Sequence, residues 1–366
     1  MELGIIGLPK SGKTTIFNAL TRGNAETDAY SPAALTPNIG VVKVPDPRLD
    51  KLTDLFQPKR TVPAEITYID IAMESRGIGK SQAIGGQFLA YLSKVDALVL
   101  VIRAFNDESV PHPDIIIDPE RDMSTMKLEV AFSDLAIIER RLERLRASLK
   151  GAKPQERELI VREDALLTRI KNGLENDIPV REQELSERER KDIEGFQFLT
   201  AKPLLFLINI GEEQLPEATS IEGRFRNIFY TTHTEVAALC GKLEMEMTQL
   251  NDAEAQEFRS SVGLVESGLD RMIRLSYGLV GLVSFFTVGS DEVRAWPIHH
   301  NTTALKAAGK IHTDLERGFI RAEVIKYDDL VRCGGMAEGR KQGLLRLEGK
   351  SYIIQDGDIV TILFNV

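Results

Sequence analysis

Gly7-Leu8-Pro9-Lys10-Ser11-Gly12-Lys13-Thr14 follows an apolar run, Leu3 to Ile6, and opens a stretch with apolar residues at Ile16, Phe17, Ala19 and Leu20. A strand, a glycine-rich turn and a helix start are thus written consecutively, and the spacing matches G-x-x-x-x-G-K-[ST]. Glycines let such a turn curl until several backbone N–H groups converge, and the helix N-terminus adds a positive partial charge. Leu8, Pro9, Lys10, Ser11, Gly12, Lys13, Thr14 and Thr15 are therefore candidate phosphate-binding residues. Lys13 is placed to neutralise the β and γ phosphates of a nucleotide, and the Thr14 hydroxyl to complete the coordination of Mg2+.

Outward from this loop, short Ile- and Val-rich runs recur at Ile66 to Asp70, Ala97 to Ile102, Leu204 to Asn209 and Asn227 to Thr231, with helix-length stretches between most of them. That alternation predicts an α/β fold with a doubly wound, mostly parallel sheet. Asp70 ends a strand beside the first and is a second candidate metal ligand. Between the third and fourth runs the chain is far longer than a crossover needs, which indicates an insertion. Residues 139 to 194 hold 14 Lys or Arg and 14 Asp or Glu, so the insertion has a solvated, charge-balanced surface. Ile138, Leu142, Leu145 and Leu149, then Leu159, Leu166, Ile170 and Leu174 after the Gly151 to Pro154 break, supply a narrow apolar seam at helical spacing. An antiparallel helical coiled-coil arm explains both features. Beyond Gly281, strands at Ser284 to Val288, Gly318 to Val324, Ser351 to Ile354 and Asp358 to Phe364 suggest a small α+β domain. The expected organisation is a nucleotide-binding part at 1–125, the arm at 126–199, a second nucleotide-binding part at 200–281 and the small domain at 282–366.

The chain has 366 residues with 43% hydrophobic and 28% charged, which excludes global disorder. A formal charge of -9 excludes a general cationic nucleic-acid coat and leaves only local basic faces for RNA contact. No apolar run approaches the ~18 residues of a membrane span. Two cysteines cannot build a disulfide framework, and Met1 to Gly4 lacks the character of a signal peptide, so a cytoplasmic protein is expected.

The run Leu204 to Ile208 ends in Asn209-Ile210-Gly211-Glu212, where a GTP-binding protein usually carries Asn-Lys-x-Asp. Glutamate is a methylene too long and Ile210 replaces the lysine stem, so an apolar adenine slot is the expectation, with Asn209 at the amino edge of the base. At this point the chain resembles the YchF subfamily of Obg-like P-loop ATPases along essentially its whole length. The resemblance is carried by Thr200-Ala201-Lys202-Pro203, the Asn-x-x-Glu motif, Phe285-Phe286-Thr287-Val288-Gly289, Val293-Arg294-Ala295-Trp296, Ala308-Gly309-Lys310-Ile311-His312-Thr313-Asp314, Gly318-Phe319-Ile320-Arg321-Ala322-Glu323 and Gln355-Asp356-Gly357-Asp358. It implies a C-terminal TGS domain of β-grasp type, ATP as preferred substrate or ligand, Mg2+ dependence and a ribosome or ribosomal subunit as partner, with RNA contact through arm and TGS domain. It also implies that Phe105 lines the base pocket, that Asn209, Ile210 and Glu212 belong to the base motif, and that His112 positions the attacking water.

Two departures from the family pattern concern the switches. Met73 stands where a glycine usually brings its N–H to the γ-phosphate, with Glu74 after it, and Ala34 stands where a Mg2+-binding threonine is usual, leaving Thr36 as the substitute. The expected function is a Mg2+-dependent ATP-hydrolysing switch. The alternatives are an ATP-binding regulatory protein with negligible turnover, and a GTPase.

Overall fold

The structure is a computed structural model that describes residues 1–23, 37–71, 86–110, 116–229, 231 and 233–365. Its main elements run β1 (Glu2–Ile6), α1 (Lys13–Thr21), β2 (Asn38–Lys43), α2 (Pro47–Phe56), β3 (Arg60–Val62), β4 (Glu65–Asp70), α3 (Gly86–Leu92), β5 (Ala97–Arg103), α4 (Pro119–Leu149), α5 (Pro154–Glu175), α6 (Glu187–Ile193), β6 (Leu204–Asn209), α7 (Ala218–Phe229), β7 (Thr234–Leu239) and α8 (Gly241–Met247). Then follow β8 (Leu282–Val288), β9 (Glu292–His299), β10 (Phe319–Lys326), β11 (Arg346–Glu348) and β12 (Asp358–Phe364). The chain divides into two compact units, Met1–Gly40 with Thr67–Leu269, and Val41–Ile66 with Asp270–Val366. Residues 41–66, which the sequence reading assigned to the nucleotide-binding part, thus group with the C-terminal residues.

In the first unit the strand order is β2-β4-β1-β5-β6-β7, with β4, β1, β5, β6 and β7 parallel. β5 and β6 are buried along their whole length, as continuous apolar strands covered on both faces must be. This is the doubly wound sheet expected from the alternating pattern. One strand was misplaced: Asn227 to Thr231 includes the end of helix α7, and the strand is β7. The Ile-Phe-Tyr-Thr composition favours a strand locally, yet Phe225 and Phe229 stack with each other, and Phe229 packs on Phe206 of the sheet at 5.9 Å. The alanine-rich β7 carries little β propensity of its own and is held by pairing with β6.

The arm begins inside the sheet layer. α4 is a 31-residue helix capped by the Asp118 carboxylate, which accepts from the Arg121 N–H, with Pro119 in its first turn. Its first turns bury Met123, Met126 and Val130 in the sheet core, and its later turns bury Ile138, Leu142 and Leu145 against Leu166, Leu167, Ile170 and Leu174 of α5. Arg141 with Glu163 and Lys171 with Glu139 tie the two helices across the seam. Where the chain returns to the sheet, Asp134 is fully buried and accepts from the Leu199 and Thr200 N–H groups at 2.9 and 2.8 Å and from the Thr200 hydroxyl at 2.6 Å. Burial outweighs these donors and pushes its carboxyl up to about 6. Leu159 departs from the expected seam: it is 59% exposed.

The second unit is built on a sheet of order β11-β10-β12-β8-β9-β3. Its core comprises Phe285, Trp296, Ala307, Ala308, Val324 and Val360 among others. Strand β3, from the 41–66 segment, pairs in parallel with β9, and the α2 residue Arg48 bonds both Asp46 and Asp356 and lies 5.3 Å over the Phe286 ring. The expected strand Ser351 to Ile354 is reduced to an isolated bridge between Thr303 and Ile353, while β9 and β11 join the sheet. No helix among the described residues is long and apolar enough to cross a membrane.

Candidate nucleotide site

The loop from Gly7 to Thr14 joins β1 to α1 at the C-terminal edge of the parallel sheet, where open α/β folds place their ligand crevice. Its glycines are required by geometry. A Cβ at Gly7 would run into the Val101 carbonyl oxygen of β5, and Gly12, at φ 89°, would drive one into the Asn209 amide. Lys10 also takes a positive φ, at 63°, while staying exposed. Backbone and side chains are thereby wound into a tight nest before α1 begins.

Lys13 lies inside that nest. Its ammonium donates to the Gly7 and Leu8 carbonyls, both at 2.9 Å. Burial pushes it down to about 8, partly opposed by the negative charge of Asp70. Asp70, at the end of β4, is also buried and is raised by desolvation, against the pull of Lys13 and hydrogen bonds from Thr14 and Asn38. Its Oδ2 accepts from the Thr14 hydroxyl at 3.0 Å and from the Asn38 amide at 3.4 Å. Its Oδ1 is buried with no partner among the described residues, and so is the Ser11 hydroxyl. A buried carboxylate oxygen without a partner is costly. One lying beside a hydroxyl is a donor set of the hard oxygen type that Mg2+ takes, so Thr14 and Asp70 fit that ion.

At the far side of the loop, Asn209 acts as a brace. Its amide donates to the Ser11 carbonyl and its carbonyl accepts from the Gly241 N–H, both at 2.9 Å. The phosphate loop, β6 and the start of α8 are therefore locked by one buried side chain. The Phe105 N–H bonds the Asn209 carbonyl oxygen of the backbone, and its ring edge approaches Gly12. Glu212 is exposed and paired with Lys242 at 3.3 Å. The Ile210 side chain is buried. Strand alternation at the end of β6 turns it into the sheet core, and its N–H bonds Leu239.

Lys13, Thr14, Asp70, Phe105 and Asn209 are thus brought together, with Leu8 buried beneath them and Pro9 and Thr15 partly exposed. Thr36 and His112, and likewise Ala34, Met73 and Glu74, lie outside the described residues. Two contributors escaped the sequence reading. Asn38 reaches Asp70, and Arg103 is buried with its guanidinium 4.4 Å from the Phe105 ring and bonded to the Phe105 and Asp107 carbonyls at 3.2 and 3.4 Å. An arginine ending the wholly apolar run of β5 was the available signal for the second.

Similarity to known proteins agrees with this architecture. The family profile YchF-GTPase_C, described as "Protein of unknown function (DUF933)", matches residues 282–365, and MMR_HSR1, described as "50S ribosome-binding GTPase", matches residues 2–137. A Bacillus subtilis protein named "Ribosome-binding ATPase YchF" is 40% identical over 368 residues, covering 100% of both chains. The chain belongs to the YchF family. A Pasteurella multocida member of the same name is 40% identical over 366 residues, covering 100% of this chain and 99% of its own length. The solved structure of the Schizosaccharomyces pombe YchF GTPase superposes with a TM-score of 0.85 at 32% identity, covering 99% of this chain and 97% of that one. YchF relatives thus bear both ATPase and GTPase names, and the base choice of this member has to be argued from its own residues.

Proposed function

We propose that this YchF-family protein is a Mg2+-dependent NTP hydrolase that prefers ATP and works as a nucleotide-controlled switch on the ribosome, in the cytoplasm. The observation that carries the reading is the cluster Lys13, Thr14 and Asp70 at the mouth of the glycine-rich loop, with one carboxylate oxygen unpartnered among the described residues. In the free protein the Lys13 ammonium is held by two neutral carbonyls. An incoming triphosphate exchanges those for anionic oxygens, so that charge on the acceptor joins the charge on the donor. Thr14 and Asp70 would hold Mg2+, which neutralises charge on the β and γ oxygens as the phosphoryl group transfers. Lys13 stabilises the same developing charge, and His112 is assigned the positioning of the attacking water.

Preference for adenine is supported by the base motif. Glu212, at the place of the guanine-reading aspartate, is engaged with Lys242, and Ile210 offers no lysine stem for the base to stack on. Asn209 and the Phe105 ring remain at the base side of the loop. The ribosome enters through the names of the bacterial relatives, and contact, including contact with RNA, is assigned to the arm and the C-terminal domain.

The test is competition of ATP and GTP for the purified protein, reading binding and phosphate release together, with and without ribosomes, and with Lys13→Ala as control. ATP is expected to bind more tightly and to be hydrolysed above the control rate. Equal hydrolysis by wild type and control would remove the enzymatic part, and tighter GTP binding would remove the base assignment.

A further inference from the structure

The exposed Leu159 belongs to a groove on the arm, about 750 Å3 in volume, that the nucleotide site does not use. One wall is the α4 stripe Ile137, Arg140, Arg141 and Arg144, spaced i, i+3, i+4 and i+7. The facing wall is α5, from Leu159 to Leu167, and the end of α6 with Phe196 closes one side. Two antiparallel helices side by side make the seat of a third helix. α6 occupies that seat for part of its length: it runs antiparallel to α5, with Arg169 paired to Glu189 and Arg162 to Asp192. It ends at Ile193, and beyond that point toward the α4–α5 turn the seat stays open.

The charge around the opening is one-sided. Arg141 is matched by Glu163 at 2.7 Å and Arg162 by Asp192 at 3.2 Å. Arg140 and Arg144 have no carboxylate partner among the described residues, although they stand one turn apart on one helix, where like charges repel. The floor is aliphatic, from Ile137, Leu159, Leu166 and Ile193. Its one aromatic, Phe196, already has a face stacked on Phe198 at 5.2 Å. Aliphatic floors suit apolar side chains, whereas single-stranded RNA is gripped by open aromatic platforms.

We propose that this groove receives a short amphipathic segment of a partner protein, about two helical turns long to match the ~10 Å between Ile137 and Arg144. Its apolar face covers Leu159 and the floor, and flanking Asp or Glu side chains pair with Arg140 and Arg144. The proposal is independent of nucleotide chemistry, because none of these residues touches the phosphate loop.

The full chain is titrated against a fluorescein-labelled helical peptide with Leu at i, i+3, i+4 and i+7 and flanking Glu, using anisotropy. The same peptide with Lys in place of Glu, and a 12-nucleotide single-stranded RNA, are the comparison probes. The acidic peptide is expected to saturate in the micromolar range and the Lys peptide not to bind. Arg140→Glu with Arg144→Glu should weaken the acidic peptide by about tenfold or more and let the Lys peptide bind instead. Leu159→Ser should weaken the acidic peptide. Nucleotide hydrolysis by the same variants, unchanged, confirms that they are folded. Peptide binding indifferent to the arginine reversal overturns the proposal, as does absence of acidic-peptide binding, whether or not the RNA binds through the same two arginines.

Discussion

Raising the pH from 7 to 9 should weaken triphosphate binding about tenfold, through Lys13 alone. In the free protein burial holds the ammonium at about 8, well below its ordinary 10.5. Only the charged form neutralises the phosphate oxygens, and if that form alone is competent to bind, the apparent dissociation constant scales as one plus ten to the power (pH − 8). That factor is about 1.1 at pH 7 and about 11 at pH 9, a cost of ~1.4 kcal/mol. A terminal phosphate with its second pKa near ~6 is already ionised throughout this window, so the nucleotide adds little slope of its own. Titration calorimetry in two buffers of different ionisation enthalpy reads the linked proton: uptake of about half a proton at pH 8, rising toward one at pH 9. Lys13→Arg, whose guanidinium does not deprotonate, should flatten the profile. The same group has a stability signature. Its folded value lies below its unfolded one, so between pH ~8 and ~10.5 the unfolded chain binds more protons and stability rises with pH, by up to ~3 kcal/mol. Affinity independent of pH from 7 to 9, or binding without proton uptake, would refute the burial argument.

Asp70→Asn should leave the fold intact while removing Mg2+ dependence, with hydrolysis reduced by about a hundredfold or more; a metal titration followed by phosphate release checks this. Asn209→Ala frees the Ser11 carbonyl and the Gly241 N–H together, so nucleotide affinity should fall by about tenfold or more for ATP and GTP alike, measured by calorimetry. A loss confined to ATP would instead mark Asn209 as a base reader. Asp134→Ala strands three buried donors at the root of the arm and should cost about 3 kcal/mol or more in chemical denaturation, with nucleotide affinity retained. The raised carboxyl also predicts a pH profile: the native state binds the extra proton between pH ~4 and about 6, so the stability linked to Asp134 is fullest in acid and is lost as pH rises through 6.

Much of this molecule is legible along the chain because its signals are local. Glycine spacing, the helix-period seam of Ile138, Leu142 and Leu145, and the apolar runs of β1, β5 and β6 each record a constraint acting within a few residues. Where local preference and pairing disagree, pairing decides. Asn227 to Thr231 has strand composition, yet Asn227 to Phe229 is helical because Phe225 and Phe229 are needed on the sheet, and β7 is a strand despite its alanines because β6 offers it a full ladder. The site follows the same division: Lys13 and Thr14 are announced by their spacing, whereas Asn38 and Arg103 carry no motif and are recruited by position.

Spacing alone therefore established a phosphate-binding loop, a parallel α/β sheet and an inserted helical arm, since each follows from backbone sterics and hydrophobic period. Only the folded chain decided that one Asp70 oxygen has no partner among the described residues, that Ile210 turns into the core, that residues 41–66 group with the C-terminal unit, and that Leu159 stays in the open. These are long-range facts. Hydrogen-bond pairing and burial depend on which elements meet across tens or hundreds of residues, and no window along the sequence contains both partners.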